Sequence, residues 1–130
     1  HVIPAMLLKF LKAKKEGHSS VTLWGSGKPY REFLHSDDLA EAVVLCLEKY
    51  NETQFINVGS GEEITIGDLA KLVARVCNYP GQILWYASKP DGVFRKIMDS
   101  SKVKKLGWTP KVSLEDGLRS VVQEAERKFS

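Results

Sequence analysis

Cysteine is scarce: Cys46 and Cys77 are the two in 130 residues, both inside apolar helical patterns and with no CxxC spacing. A disulfide framework and a thiolate metal site are therefore excluded, and buried free thiols are expected. Such usage belongs to a reducing compartment, so a cytoplasmic setting is expected. No apolar run is long enough to span a bilayer. No arginine-rich run with interleaved aromatics occurs, so the net charge of +3 does not point to nucleic acid. It suits a small phosphate-bearing ligand. P-loop, GxGxxG, HExxH and nucleophile-elbow motifs are missing, as are repeats and low-complexity tracts. Gly59-Ser-Gly61 lacks a third glycine and precedes Glu62 and Glu63, which would repel a pyrophosphate; a turn is expected there. The opening His-Val-Ile-Pro has neither a charged signal-peptide region nor an initiator Met. The first residue is accordingly not expected to be the natural start.

What is present suits one globular domain, with 43% hydrophobic and 27% charged residues. Its focus is Trp24-Gly-Ser-Gly-Lys-Pro-Tyr-Arg-Glu-Phe33, entered from a strand over Val21–Trp24. Two glycines let the backbone approach a ligand or take positive φ, and Pro29 stiffens the loop. An indole (Trp24), a point cation (Lys28) and a guanidinium fork (Arg31) suit an anionic ligand with a flat or sugar part.

In chain order, Pro4 opens a helix with an apolar stripe of Ile3, Met6, Leu7, Phe10 and Leu11, ending near Gly17. Ser36 is the expected N-cap of a second helix, with Asp37 and Asp38 in its first turn and His35 at the junction. Leu39, Ala40, Val43, Val44 and Leu47 give that helix a wide apolar face. Phe55–Val58 is a nearly continuous apolar run and predicts a strand buried on both faces. Such a strand lacks good neighbours in this chain, a hint that part of the fold lies elsewhere. Thr65 to Asp68 resembles a capping box before a helix that places Ile66, Leu69, Val73 and Val76 on one face. A strand over Gln82–Tyr86, a turn at Ser88–Gly92, a short helix over Ser101–Leu106 and a last helix from Ser113 follow. The last helix is expected to bury Leu114, Leu118, Val121, Val122 and Phe129, with Gly117 weakening it.

These pieces together resemble the C-terminal part of the GDP-L-fucose synthases, epimerase/reductases of the extended short-chain dehydrogenases. The residues that carry the resemblance are His1-Val-Ile-Pro-Ala5, Trp24-Gly-Ser-Gly-x-Pro-x-Arg-Glu-Phe-Leu-His35 and Asp37-Asp-Leu-Ala40. Further along they are Ile56-Asn-Val-Gly59, Thr65-Ile66, Ser88-Lys-Pro-Asp-Gly92, Arg95-Lys96 and Leu106-Gly-Trp108. The Arg-Glu-Phe-Leu-His segment is shared by many nucleotide-sugar epimerases and dehydratases; the opening pentapeptide and the Ser-Lys-Pro-Asp-Gly turn are narrower marks.

The resemblance implies an α/β fold, the C-terminal part of a Rossmann-type architecture, with residues 1–130 forming a nucleotide-sugar domain. It implies a full enzyme that epimerises C3 and C5 of GDP-4-keto-6-deoxymannose and reduces C4 with NADPH to give GDP-L-fucose, working as a homodimer. His1 falls on the family's general acid/base, which also lies against the cofactor. Imidazole suits that work because it titrates near the working pH. Substrate contacts fall on Lys9, Trp24, Arg31 and Asp91, with Arg95 added as a second cation for the diphosphate. Lys9 stands where the bacterial pattern has arginine, keeping the charge but losing the fork.

The glycine-rich NADP(H) site, the Tyr-x-x-x-Lys pair and the partner cysteine are missing from the sequence. The chain alone is expected neither to bind NADPH tightly nor to turn over. Another nucleotide-sugar epimerase or dehydratase, and a non-catalytic nucleotide-sugar-binding module, stay open as alternatives.

Overall fold

The computed structural model describes residues 2–51, 54 and 56–129. His1, Phe55 and the side chain of Phe129 lie outside the described residues, so the roles expected of them are not addressed by the structure. Helix α1 spans Val2–Glu16 and turns Met6, Leu7, Phe10 and Ala13 inward, at the helical spacing. Its start lies two residues ahead of Pro4, and Gly17 closes it at φ 71°.

Strand β1 (Ser20–Trp24) follows and pairs in parallel with β4 (Gln82–Tyr86). Parallel strands need a crossover, supplied here by helix α3 (Ile66–Val76) running into β4. Alternation sends Val21, Leu23, Ile83 and Trp85 toward the main core, against α1, α3 and Leu118 and Val122 of α5 (Leu114–Phe129). Thr22, Trp24, Leu84 and Tyr86 take the opposite face and are exposed.

A second, three-stranded sheet has the order β3-β2-β5. Strand β2 (Tyr30–Arg31) pairs antiparallel with β3 (Ile64–Thr65) and parallel with β5 (Arg95–Lys96). Thr65 caps α3, its hydroxyl accepting from the Asp68 amide at 3.0 Å.

Helix α2 (Ser36–Lys49) departs from expectation at both its start and its face. His35, not Ser36, is the cap: its Nδ1 accepts from the Asp37 amide at 3.0 Å. The buried residues of α2 are Asp38 and Ala42, while Leu39, Val43, Val44 and Leu47 are exposed. Ala42 joins Val103 of α4 (Ser101–Lys105) and Trp108 in a small second core, with Ile56 and Val58 packed against it. The predicted strand over Phe55–Val58 is not formed at Ile56–Val58. Neither sheet offers this run a ladder, so it contributes packing instead. Val121 is likewise exposed where burial was expected.

Leu47 is 81% exposed, so Leu47→Lys is expected to change the chain's stability by no more than about 0.5 kcal/mol in urea melts. A larger loss would mean that this face is covered. Among the described residues, no helix is long and apolar enough to cross a membrane.

Candidate functional site

Strand β1 delivers Trp24 to the outer face of its sheet, and the chain then turns through Gly25 and Gly27 at φ 91° and 77°. Both glycines are required by close approach as well as by φ. A Cβ on Gly25 would lie 2.4 Å from Asp91 Oδ1, and one on Gly27 would lie 2.8 Å from the Trp85 ring. The Gly27 carbonyl accepts from the Gly67 amide at 2.8 Å, which ties the loop to the start of α3.

The loop forms one wall of an open cleft of about 510 Å³. Trp24, Arg31 and Asp91 all line it, with Val2 from α1, Lys96 from β5 and Met98 beyond it. Trp24 is 68% exposed, and two ammonium groups sit against its ring, Lys89 at 5.1 Å and Lys9 at 5.7 Å from the centroid. Lys9 thus reaches the site through Trp24 rather than as a wall residue.

Arg31 is fixed by two carbonyls, Nη1 donating to Tyr30 O at 2.7 Å and Val93 O at 2.6 Å. Among the described residues its Nη2 and Nε have no protein partner, so part of the fork is free for an anion. Asp91 accepts from Ser26 twice, from the amide at 2.8 Å and from the hydroxyl at 2.6 Å. These bonds, the hydroxyl first, hold the Asp91 carboxyl below the usual carboxylate range.

Arg95 sits differently from the diphosphate contact expected of it. In the β2–β5 ladder Tyr30 lies opposite Arg95, and Arg31 opposite Lys96. Successive side chains alternate across a sheet, so Lys96 joins Arg31 on the cleft side while Arg95 faces away with Tyr30. Arg95 lies 5.8 Å from the Tyr30 ring and gives both arms of its fork to Glu63, at 2.7 and 2.8 Å. Lys96 is the cleft cation that sequence reasoning passed over. The parity of the Arg95-Lys96 pair could have found it, once Arg31 was placed.

Glu32 also lines the cleft, and its carboxylate accepts from the Gly61 amide at 3.2 Å. The four cations Arg31, Lys96, Lys89 and Lys9 outnumber the two acids Glu32 and Asp91 around the cleft. Arg31, Lys96, Lys89 and Lys9 therefore favour a doubly charged ligand with a planar or apolar part for Trp24, Met98 and Val2.

The two cysteines differ. Burial pushes the Cys77 thiol up to about 11, whereas Cys46 is only half-buried. A thiol reagent at pH 8 is expected to label Cys46 first and Cys77 only on unfolding, read by mass spectrometry. Cys77 is thus no substitute for a catalytic thiolate.

A model described as the NAD dependent epimerase/dehydratase family matches residues 1–59. Over 118 residues the chain is 53% identical to GDP-L-fucose synthase 1 of Arabidopsis thaliana, covering 91% of this chain and 36% of that protein. GDP-L-fucose synthase of Escherichia coli (strain K12) is 43% identical over 132 residues, covering 95% of this chain and 41% of that protein. The chain spans less than half the length of these two curated synthases.

The structure of a GDP-L-fucose synthetase from Naegleria fowleri bound to NADP superposes with a TM-score of 0.90 at 27% identity, over 99% of this chain and 41% of that one. GDP-mannoheptose C4 reductase from Campylobacter jejuni, with NADP bound, gives 0.84 at 33% identity, over 97% and 45%. The fold is accordingly α/β, a portion of the Rossmann-type epimerase/reductase architecture.

The described residues do not fit a dinucleotide. Neither glycine loop opens a helix: Gly25–Gly27 leads to β2, and Gly59–Gly61 leads to β3. At the second, the Glu32 carboxylate already occupies the Gly61 amide that a pyrophosphate would need.

Proposed function

We propose that this chain is the C-terminal, substrate-binding portion of a GDP-L-fucose synthase, an enzyme that converts GDP-4-keto-6-deoxy-D-mannose to GDP-L-fucose by 3,5-epimerisation and NADPH-dependent 4-reduction. The observation that carries the reading is the single cleft that Trp24, Arg31 and Lys96 share. Arg31 and Lys96 face the diphosphate there, while Trp24 offers a ring face to the sugar or base. Lys9 and Lys89 add charge around the indole.

The NADP(H) site belongs to a Rossmann domain outside these residues. That assignment agrees with the poor fit of both glycine loops to a pyrophosphate and with the share of the synthases that the chain spans. His1 is the proposed acid/base for epimerisation. Its sequence neighbour Val2 lines the cleft, which supports placing proton transfer at that end.

Calorimetric titration of the chain with GDP-L-fucose and with UDP-glucose tests the reading. A clear preference for the GDP-sugar is expected. Preference for the UDP-sugar would overturn it in favour of another nucleotide-sugar epimerase or dehydratase, and no heat with either would overturn nucleotide-sugar binding altogether. Rapid NADPH oxidation by the chain alone would contradict the assignment of the cofactor site elsewhere.

A further inference from the structure

Gly59 lies outside the left-handed region that Gly25, Gly27 and Gly61 occupy, so backbone conformation does not explain a glycine there. A close neighbour does. A Cβ at residue 59 would overlap Glu32 Oε1 and lie 2.9 Å from the Glu32 Cδ. The other oxygen, Oε2, accepts from the Gly61 amide at 3.2 Å. The carboxylate therefore rests on the bare backbone of the Gly59–Gly61 turn. Buried Ser100 holds that turn as well, its hydroxyl donating to Gly59 O at 3.3 Å. Beside Gly61, Lys104 Nζ lies 2.6 Å from where a Cβ would stand, which places an ammonium next to the turn.

We propose that the Gly59–Gly61 turn is a dock for the Glu32 carboxylate, and that glycine at 59 keeps this charge clear of the cleft cations. Glu32 follows Arg31 directly and lines the same cleft as Arg31 and Lys96. One amide does not cancel the charge of Glu32; what the dock fixes is its position. A side chain at 59 would evict the carboxylate and leave the backbone in place, because Glu32 brings only the free end of a flexible chain to the contact.

Once evicted, the acid keeps its charge and its place on the cleft wall. Among the described residues the Nη2 and Nε donors of Arg31 and the Lys96 ammonium have no protein partner there, so they would attract it. An anionic ligand needs the same groups, and the loose carboxylate would both compete for them and repel the ligand. This effect on binding rests on the nucleotide-sugar reading, whereas the docked carboxylate does not.

Gly59→Ala, Glu32→Gln and the double variant, each in the 130-residue chain, are titrated with GDP-L-fucose. Gly59→Ala is expected to weaken binding about tenfold against the native chain. In the Glu32→Gln background the same alanine should cost less than about twofold, because the evicted side chain carries no charge. A purely structural role for Gly59 would cost the same in both backgrounds. Equal losses, or no loss in either, would therefore overturn the dock. Loss of binding in Glu32→Gln itself would make the charge necessary to the ligand and overturn it likewise.

Hydrogen exchange at the Gly61 amide reads the contact without ligand. It should quicken roughly fivefold in Glu32→Ala and stay near native in Glu32→Gln, whose side-chain carbonyl still accepts. Unchanged exchange in Glu32→Ala would overturn the dock. If GDP-L-fucose binds neither the native chain nor any variant, the nucleotide-sugar reading fails and the exchange result alone decides; it decides also if Gly59→Ala does not fold.

Discussion

Arg31→Ala is expected to weaken GDP-L-fucose binding roughly 30-fold, from loss of a charge-assisted contact of about 2 kcal/mol. The chain retains Lys96, Lys89 and Lys9 around the cleft, so net attraction survives while geometry does not. Arg31→Lys should recover little of the loss. A lysine ammonium cannot donate to Tyr30 O and Val93 O while also presenting further donors at a fixed angle to a phosphate. Titration of the two variants separates charge from shape: equal recovery by lysine would reduce Arg31 to a point charge. Lys96→Ala should cost less, since Lys96 is exposed and has no partner fixing its orientation among the described residues.

The largest expected effect on stability lies elsewhere, at Asp38. It is 2% exposed, and its carboxylate accepts from the Lys111 amide at 3.0 Å and the Val112 amide at 2.9 Å. Its own carbonyl accepts from the Trp108 indole at 3.0 Å. One residue thus ties α2 to the segment that leads into α5. Asp38→Ala would strand two backbone donors and is expected to cost roughly 3 kcal/mol, or roughly 10 °C in the melting midpoint.

The amides of Val112 and Lys111 hold the Asp38 carboxyl below its ordinary value. In the unfolded chain the carboxyl takes its proton at about pH 3.9. The stabilisation is therefore fully present above that pH and is lost as pH falls through the lower folded value. Melting across pH 2.5 to 6 should show a steeper acid loss for the native chain than for Asp38→Ala. Parallel curves would rule out this carboxylate as the source.

The residues that were legible in the sequence share one property: their signals are local. The Trp24-to-Phe33 stretch announces a turn through its glycines and proline, and Trp24 and Arg31 do meet in one cleft. Thr65 and Gly17 announce helix ends by residue type alone, and both end helices as read. Leu69 and Val73 follow helical spacing onto the core.

What escaped depends on partners distant in sequence. Which of Arg95 and Lys96 faces the cleft is decided by the register with Tyr30 and Arg31, which no local pattern encodes. Asp38 reads as a first-turn acid, yet its role comes from amides more than 70 residues later. The apolar face of α2 and the Ile56–Val58 run fit the same rule from the other side. The face of α2 asks for a burial that the described residues do not supply, whereas Ile56 and Val58 pack against the small second core without the ladder their pattern asks for. His35 displaced Ser36 as the cap because its ring nitrogen reaches the Asp37 amide, a geometry that cap preferences by residue type do not anticipate.

The most direct test of the central claim is a map of amide and side-chain NMR shifts while GDP-L-fucose is added to the chain. The proposed site requires the largest changes at the Trp24 indole, the Arg31 guanidinium and Lys96, with smaller ones at Lys9 and Lys89. Shifts centred on the opposite groove around Lys14, His18 and Tyr79, or spread evenly with Trp24 unmoved, would contradict it.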